Sequence, residues 1–135
     1  MIGLSLMLAS ALSIAPAQSI PGRYTAVTET EFAIDLALKP SGEAVLSTHT
    51  WEADGSAPPS NQKLTGHWSQ ADKNIKIRFG HGQSATFTLE ACLSYSEFGQ
   101  SGCSLGLKLV STNLPARWGL QRFGLWRSDL LRVDR

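Results

Sequence analysis

Charge of one sign is missing from this sequence. Its 12 Lys and Arg stand against 11 Asp and Glu, a net charge of +1. A nucleic-acid-binding domain carries a basic patch or stripe, and no such electrostatic footprint is present. Histidine is scarce. His49, His67 and His81 are the only three, and none has the i, i+2 or i, i+4 spacing of paired metal ligands. Gly102-Cys103-Ser104-Leu105-Gly106 spells Gly-x-Ser-x-Gly, but it opens an expected strand and not the strand-to-helix turn of a nucleophile elbow; neither Gly-x-x-x-x-Gly-Lys nor Gly-x-Gly-x-x-Gly occurs. Paired carboxylates occur as Glu29/Glu31 and Glu52/Asp54, at turn borders where solvated acids are ordinary. No catalytic residue, metal site or cofactor is therefore expected, and an enzyme ranks third among the function classes below. No apolar run reaches the ~20 residues of a membrane-spanning helix, so no span is expected once the N-terminal segment is removed.

That segment is the first feature present. Met1–Ala17 is apolar and uncharged, and its run Leu4–Ala15 ends in Ala15-Pro16-Ala17. A short apolar run closed by a small-x-small site reads as a signal peptide. The expected division is a signal peptide over 1–17 and one domain over 18–135, with periplasmic or secreted location. Removal of 1–17 takes away no charged side chain, so the +1 balance stays with the domain. Arg117, Arg122, Arg127, Arg132 and Arg135 gather near the C-terminus, offset by Asp129 and Asp134. They read as solvated edges that favour solubility.

Beyond the signal segment the pattern has a period of two. Phe32, Ile34, Leu36 and Leu38 alternate with Ala33, Asp35 and Ala37. Leu64, Gly66 and Trp68 alternate with Thr65, His67 and Ser69, and Ile75, Ile77 and Phe79 with Lys76 and Arg78. The clearest stretch is Ser84–Thr112, which reads as two long strands, Ser84–Tyr95 and Cys103–Thr112. Such alternation marks half-buried antiparallel strands. Lys39-Pro40-Ser41-Gly42, Ala71-Asp72-Lys73-Asn74 and Gly80-His81-Gly82-Gln83 supply turns between them. A first strand at Arg23–Thr28, a third at Glu43–Trp51 and a last at Trp118–Arg127 bring the count to about eight. The fold expected is all-β: a single antiparallel up-and-down barrel, whose closure removes exposed edges. Glu52–Asn61 is the loosest connection and reads as a rim loop.

Only two cysteines occur, Cys92 and Cys103. Behind an export signal they point to a disulfide. The alternation opposes it. Pairing Leu89 with Leu107 sets Ser104 opposite Cys92, so the bridge needs a bulge near Ser101-Gly102, or Cys103 must lie outside the regular ladder. Phe32, Trp51, Trp68, Phe79 and Phe87 hold inward phases. They either fill the interior or line a cavity for one small apolar ligand. Phe32, Leu36, Trp68, Ile77, Phe79, Phe87 and Leu89 are expected to point inward together, with Trp68 the most sensitive to truncation.

Gly22-x-Tyr24, the Pro40-x-Gly42 hairpin, Gly66-x-Trp68 and Ile75-x-Ile77 resemble the small exported lipocalin-like barrels, among them the N-terminal domain of the NlpE copper-resistance lipoproteins. The resemblance implies a barrel over most of Pro21–Leu109. This chain has no lipid-anchoring cysteine after the signal and no Cys-x-x-Cys, so the family's copper handling and stress signalling are not implied. The leading expectation is an exported binding or structural module, with a small apolar ligand in its interior. The alternative is an envelope protein-partner binder or inhibitor acting through the 52–61 rim loop.

Overall fold

The computed structural model of the chain describes residues 20–27, 32–50, 60–94, 102–121 and 124–128. Residues 1–17, read above as a signal peptide, Trp51 with most of the expected rim loop, 95–101 and 129–135 lie outside the described residues.

The eight strands are β1 (Gly22–Val27), β2 (Phe32–Leu38), β3 (Glu43–Thr50), β4 (Ser60–Ala71), β5 (Asn74–Phe79), β6 (Ser84–Ser94), β7 (Cys103–Thr112) and β8 (Leu125–Arg127). Each pairs with the next, and β8 pairs back with β1, so the sheet closes as an up-and-down antiparallel barrel. The alternation produces this directly. Ile34, Leu36 and Leu38 lie inside, opposite Thr48, Leu46 and Ala44 of β3. Ile75 and Ile77 of β5 face Phe87 and Ala85 of β6. Large residues thus meet small ones across the ladder in part of the core. A slip of one residue would turn a whole set outward, and the phases agree from β1 to β6.

Three stretches depart from the sequence expectation. β4 begins at Ser60 rather than Lys63, because Ser60, Asn61 and Gln62 pair with Thr50, His49 and Thr48. Sheet pairing there overrides a turn-like composition. The last strand shrinks to Leu125–Arg127. Trp118 lies instead in a 3-10 turn, Ala116–Trp118, which follows Pro115 and stops at Gly119, whose φ is 76°. Leu114, Trp118 and Leu120 of this segment are buried and belong to the core. A Cβ on Gly119 would lie 2.6 Å from the Phe32 ring, so the segment packs against the start of β2 and plugs that end of the barrel. Ile20 is buried at the other end, where its carbonyl accepts the Tyr24 hydroxyl at 2.7 Å.

The third departure is in the β6–β7 hairpin. Leu89 does pair with Leu107, and Cys92 and Cys103 do form a disulfide, with a Cα–Cα distance of 4.9 Å. The register shift lies between Glu90 and Leu93, in β6, and not at Ser101-Gly102. With one extra residue there, Leu93 pairs with Ser104 and Ser94 with Cys103. A second shift leaves Val110 of β7 unpaired between Leu109, opposite Phe87, and Ser111, opposite Thr86. Val110 is 58% exposed. Among the described residues no helix is long and apolar enough to cross a membrane.

Candidate functional site

The aromatic residues proposed to line an interior site are placed as follows. Phe79 and Phe87 are buried in the core, and Phe32 and Trp68 pack against it half-buried. Trp51 lies outside the described residues. Around them Tyr24, Ile34, Leu36, Ile75, Ile77 and Leu107 have no accessible surface at all. A ligand chamber leaves its walls open to a water-sized probe; these side chains are closed to one. No buried side-chain nitrogen or oxygen among the described residues lacks a hydrogen-bond partner. The room beside Gly66 is taken by Phe79, its cross-strand partner, whose ring would lie 3.0 Å from a Cβ added at Gly66. Trp68 instead reaches the β2–β3 turn, where its indole N–H donates to the Lys39 carbonyl at 2.9 Å.

Arg127 was expected among the solvated arginines. It is 6% exposed, because Tyr24 and Arg127 are directly paired and so project to the same side of the sheet. Its guanidinium lies over the Tyr24 ring, 5.3 Å from the centroid, and against Gly22. The parity of Leu125 and Arg127 in sequence was the available signal; the ordinary solubility of arginine masked it.

Among the described residues the outer face carries an open cleft with polar groups. A cleft of about 310 Å³ runs over β2, β3 and β4, lined by Ala33, Asp35, Ser47, His49, Asn61 and Lys63, with Thr48 and Gln62. The register builds it. Thr25 pairs with Asp35, Asp35 with Ser47, and Ser47 with Lys63, giving one row across four strands. The next row sets Ala33 against His49 and His49 against Asn61. Ala33 and Ser47 are small, so the floor lies low between the longer side chains.

The walls are held by hydrogen bonds. Asp35 Oδ1 accepts from Arg23 Nη2 at 2.8 Å, Arg23 Nε at 3.2 Å and Thr25 Oγ1 at 3.1 Å. His49 Nδ1 donates to Asn61 Oδ1. Gln62 Oε1 accepts from Arg117 Nε at 3.1 Å, which ties the 3-10 segment to this rim. The Arg23–Asp35 pair is partly exposed, so it orients these groups more than it stabilises the fold. Among the described lining residues Asp35 is paired with Arg23, so Lys63 is the remaining charged side chain, and Arg117 adjoins the rim through Gln62. The cleft can therefore offer an ammonium and amide hydrogen-bonding groups to an anionic group, with the Arg117 guanidinium beside its rim.

A second outer cleft, of about 430 Å³, is lined by Glu43, Thr65, Gly66, His67, Arg78 and neighbours. Its Glu43 is engaged by Lys39 at 3.3 Å, outside the lining. Among the described residues no three His, Cys, Asp or Glu are grouped to hold a metal ion. The sequence named the rim loop but not the cleft beside it; only the strand register brings Asp35, His49 and Lys63 together. Comparison of the chain with protein-family models, with curated proteins and with solved structures finds no match.

Proposed function

We propose that this barrel is an exported binding module that works through its outer surface, taking an acidic polypeptide segment of a partner protein in the β2–β4 cleft. The observation that carries the reading is the packing of the described core: Tyr24, Ile34, Leu36, Ile75, Ile77 and Leu107 are fully buried, whereas the cleft is open and its polar groups are hydrogen-bonded. A ligand in the interior would have to displace packed side chains. One at the cleft meets Lys63 and the His49–Asn61 pair, with Arg117 adjoining through Gln62. The cleft includes Asn61, near the start of β4.

The test is a titration of the oxidised chain, residues 18–135, with a glutamate-rich peptide, followed by amide chemical shifts. Shifts concentrated at His49, Asn61, Gln62, Lys63 and Arg117 are expected. They should weaken with salt, because the contacts are exposed, and be lost in Lys63→Glu/Arg117→Glu. Equal shifts at the distant Lys76 and Lys108 would mean non-specific charge attraction and sink the reading. So would saturable uptake of an apolar fluorescent dye that moves the Phe87 and Ile77 resonances, which favours the interior-ligand alternative.

Export is part of the same proposal. The Cys92–Cys103 bridge suits an oxidising compartment. It closes a short loop and contributes about 2–3 kcal/mol in the chain-entropy picture. N-terminal sequencing of the exported protein is expected to begin at Gln18. An intact Met1 in protein recovered from the cytosol contradicts export.

A further inference from the structure

The seam of the barrel is its thinnest part. β8 joins β7 through two residue pairs, Gly106 with Trp126 and Leu107 with Leu125. It joins β1 through two more, Tyr24 with Arg127 and Thr25 with Trp126. Leu107 and Leu125 point into the core, so Gly106 and Trp126 lie on the outer side by alternation. Trp126 is nevertheless only 4% exposed.

Leu93 meets it on that side. The Leu93 carbonyl accepts the Trp126 indole N–H at 3.0 Å. Its side chain fills the space above two glycines: a Cβ on Gly106 or Gly124 would approach Leu93 Cδ2 to 2.7 or 2.6 Å. Leu93 is therefore a clasp on the β7–β8 seam, and it immediately follows Cys92.

Leu93 holds that place only because of the extra residue in β6. The straight register set by Leu89 and Leu107 would run on to pair Ala91 with Leu105, Cys92 with Ser104 and Leu93 with Cys103. Cys103 shares the phase of Leu107, so Leu93 would then turn to the inner side and leave the glycines. The bulged register pairs Leu93 with Ser104 instead and coexists with the disulfide. Both cysteines are exposed, within reach of a thiol reagent.

We propose that Cys92–Cys103 is a redox-sensitive latch that selects between two registers of the β6–β7 hairpin and so controls the seam. Oxidised, the bulge holds Leu93 over Gly106, Gly124 and Trp126. On reduction the S–S bond breaks; a dithiol reductant gives up two electrons and two protons and leaves as its own disulfide. The hairpin then relaxes to the straight register, where Ala91 and Cys92 each gain a ladder partner, and Trp126 loses its contact with Leu93. Two packings of one element biased by a local bond are a recognised switching device.

The test compares the chain before and after treatment with dithiothreitol, and with the Cys92→Ser/Cys103→Ser variant, by NMR. In the oxidised protein the cross-strand contact of Leu93 is with Ser104. On reduction, and in the double variant under oxidising conditions, that contact should be replaced by one to position 103. Exchange of the Trp126 indole proton and of the Leu125–Arg127 amides should rise by roughly tenfold as the seam opens locally. Amides of β2, β3 and β5 should keep their protection. Persistence of the Leu93–Ser104 contact in the folded, reduced protein overturns the latch. So does collective loss of protection in every strand, which would make the bridge a plain staple of the whole barrel.

Discussion

Phe87→Ala is expected to lower the unfolding free energy by about 3–5 kcal/mol, the range for truncating a buried aromatic. Phe87 is 2% exposed and stands between Ile75 on β5 and Leu109 on β7, so the void would open in the middle of the barrel wall. Against a typical total of about 5–15 kcal/mol, that is a large fraction of stability. Trp68→Ala should cost less, despite the larger ring, at about 1–2 kcal/mol. Its ring is half-buried, and the loss combines partial burial with one indole hydrogen bond to a turn carbonyl. Urea titrations of both variants read this out, with unchanged slopes confirming that only stability has moved. The cavity left in Phe87→Ala is apolar and should stay dry, taking up xenon or benzene as such cavities do. The wild-type chain should take up neither. Xenon uptake by the wild type, or a Trp68→Ala cost above that of Phe87→Ala, would return the interior to the list of binding sites.

The barrel was legible because parity is a robust signal. In β2 and β5 each inward residue is large and apolar, and each outward one is small or polar, so five or six residues fix the phase. The same rule gave the inward positions of Leu36, Ile77 and Leu89. It failed where a few residues had to speak for a strand. In β8 only Leu125, Trp126 and Arg127 are paired, and Arg127 faces the core because Tyr24, from the far end of the sequence, offers its ring. No local pattern encodes that partner. Trp118 and Leu120 have the opposite parity to Leu125 and Arg127, and Pro115 and the left-handed Gly119 wind their segment into a plug.

The bulge and the cleft were hidden for related reasons. The conflict between Cys92 and Ser104 was visible, and it required a bulge in the hairpin. Which strand held the extra residue depended on what Leu93 could cover, and the two glycines beneath it come from β7 and the segment before β8. The cleft depends on register in the same way. Asp35, Ser47 and Lys63 are unrelated in sequence and form one row only when β2, β3 and β4 are aligned. Asn61 was read as part of a rim loop; as the second residue of β4 it is instead held at a fixed height beside His49.

Gly66→Ala is expected to be the most damaging single-methyl change in the barrel, at about 3 kcal/mol, the upper end of ordinary overpacking. A Cβ there would lie 2.2 Å from the Arg78 carbonyl oxygen and 2.9 Å from its carbon, both backbone atoms of the paired strand. It would also meet the Phe79 ring at 3.0 Å. A flexible side chain can swing away from an added methyl; a ladder carbonyl cannot without breaking the β4–β5 pairing. Gly66 pairs directly with Phe79, and the glycine is what lets that ring lie across β4 and close the core. Gly80→Ala is the matched control. Nothing lies within 4 Å of a Cβ at Gly80, and the change should stay within ~0.5 kcal/mol, as exposed substitutions do. Thermal and urea unfolding of the two variants against wild type decide the matter. Equal, small effects would show that β4 and β5 stand further apart at this point than the Gly66–Phe79 register requires. A large loss at Gly66 alone, accompanied by faster amide exchange along β5, would locate the tightest contact of the barrel at the Gly66–Phe79 pair.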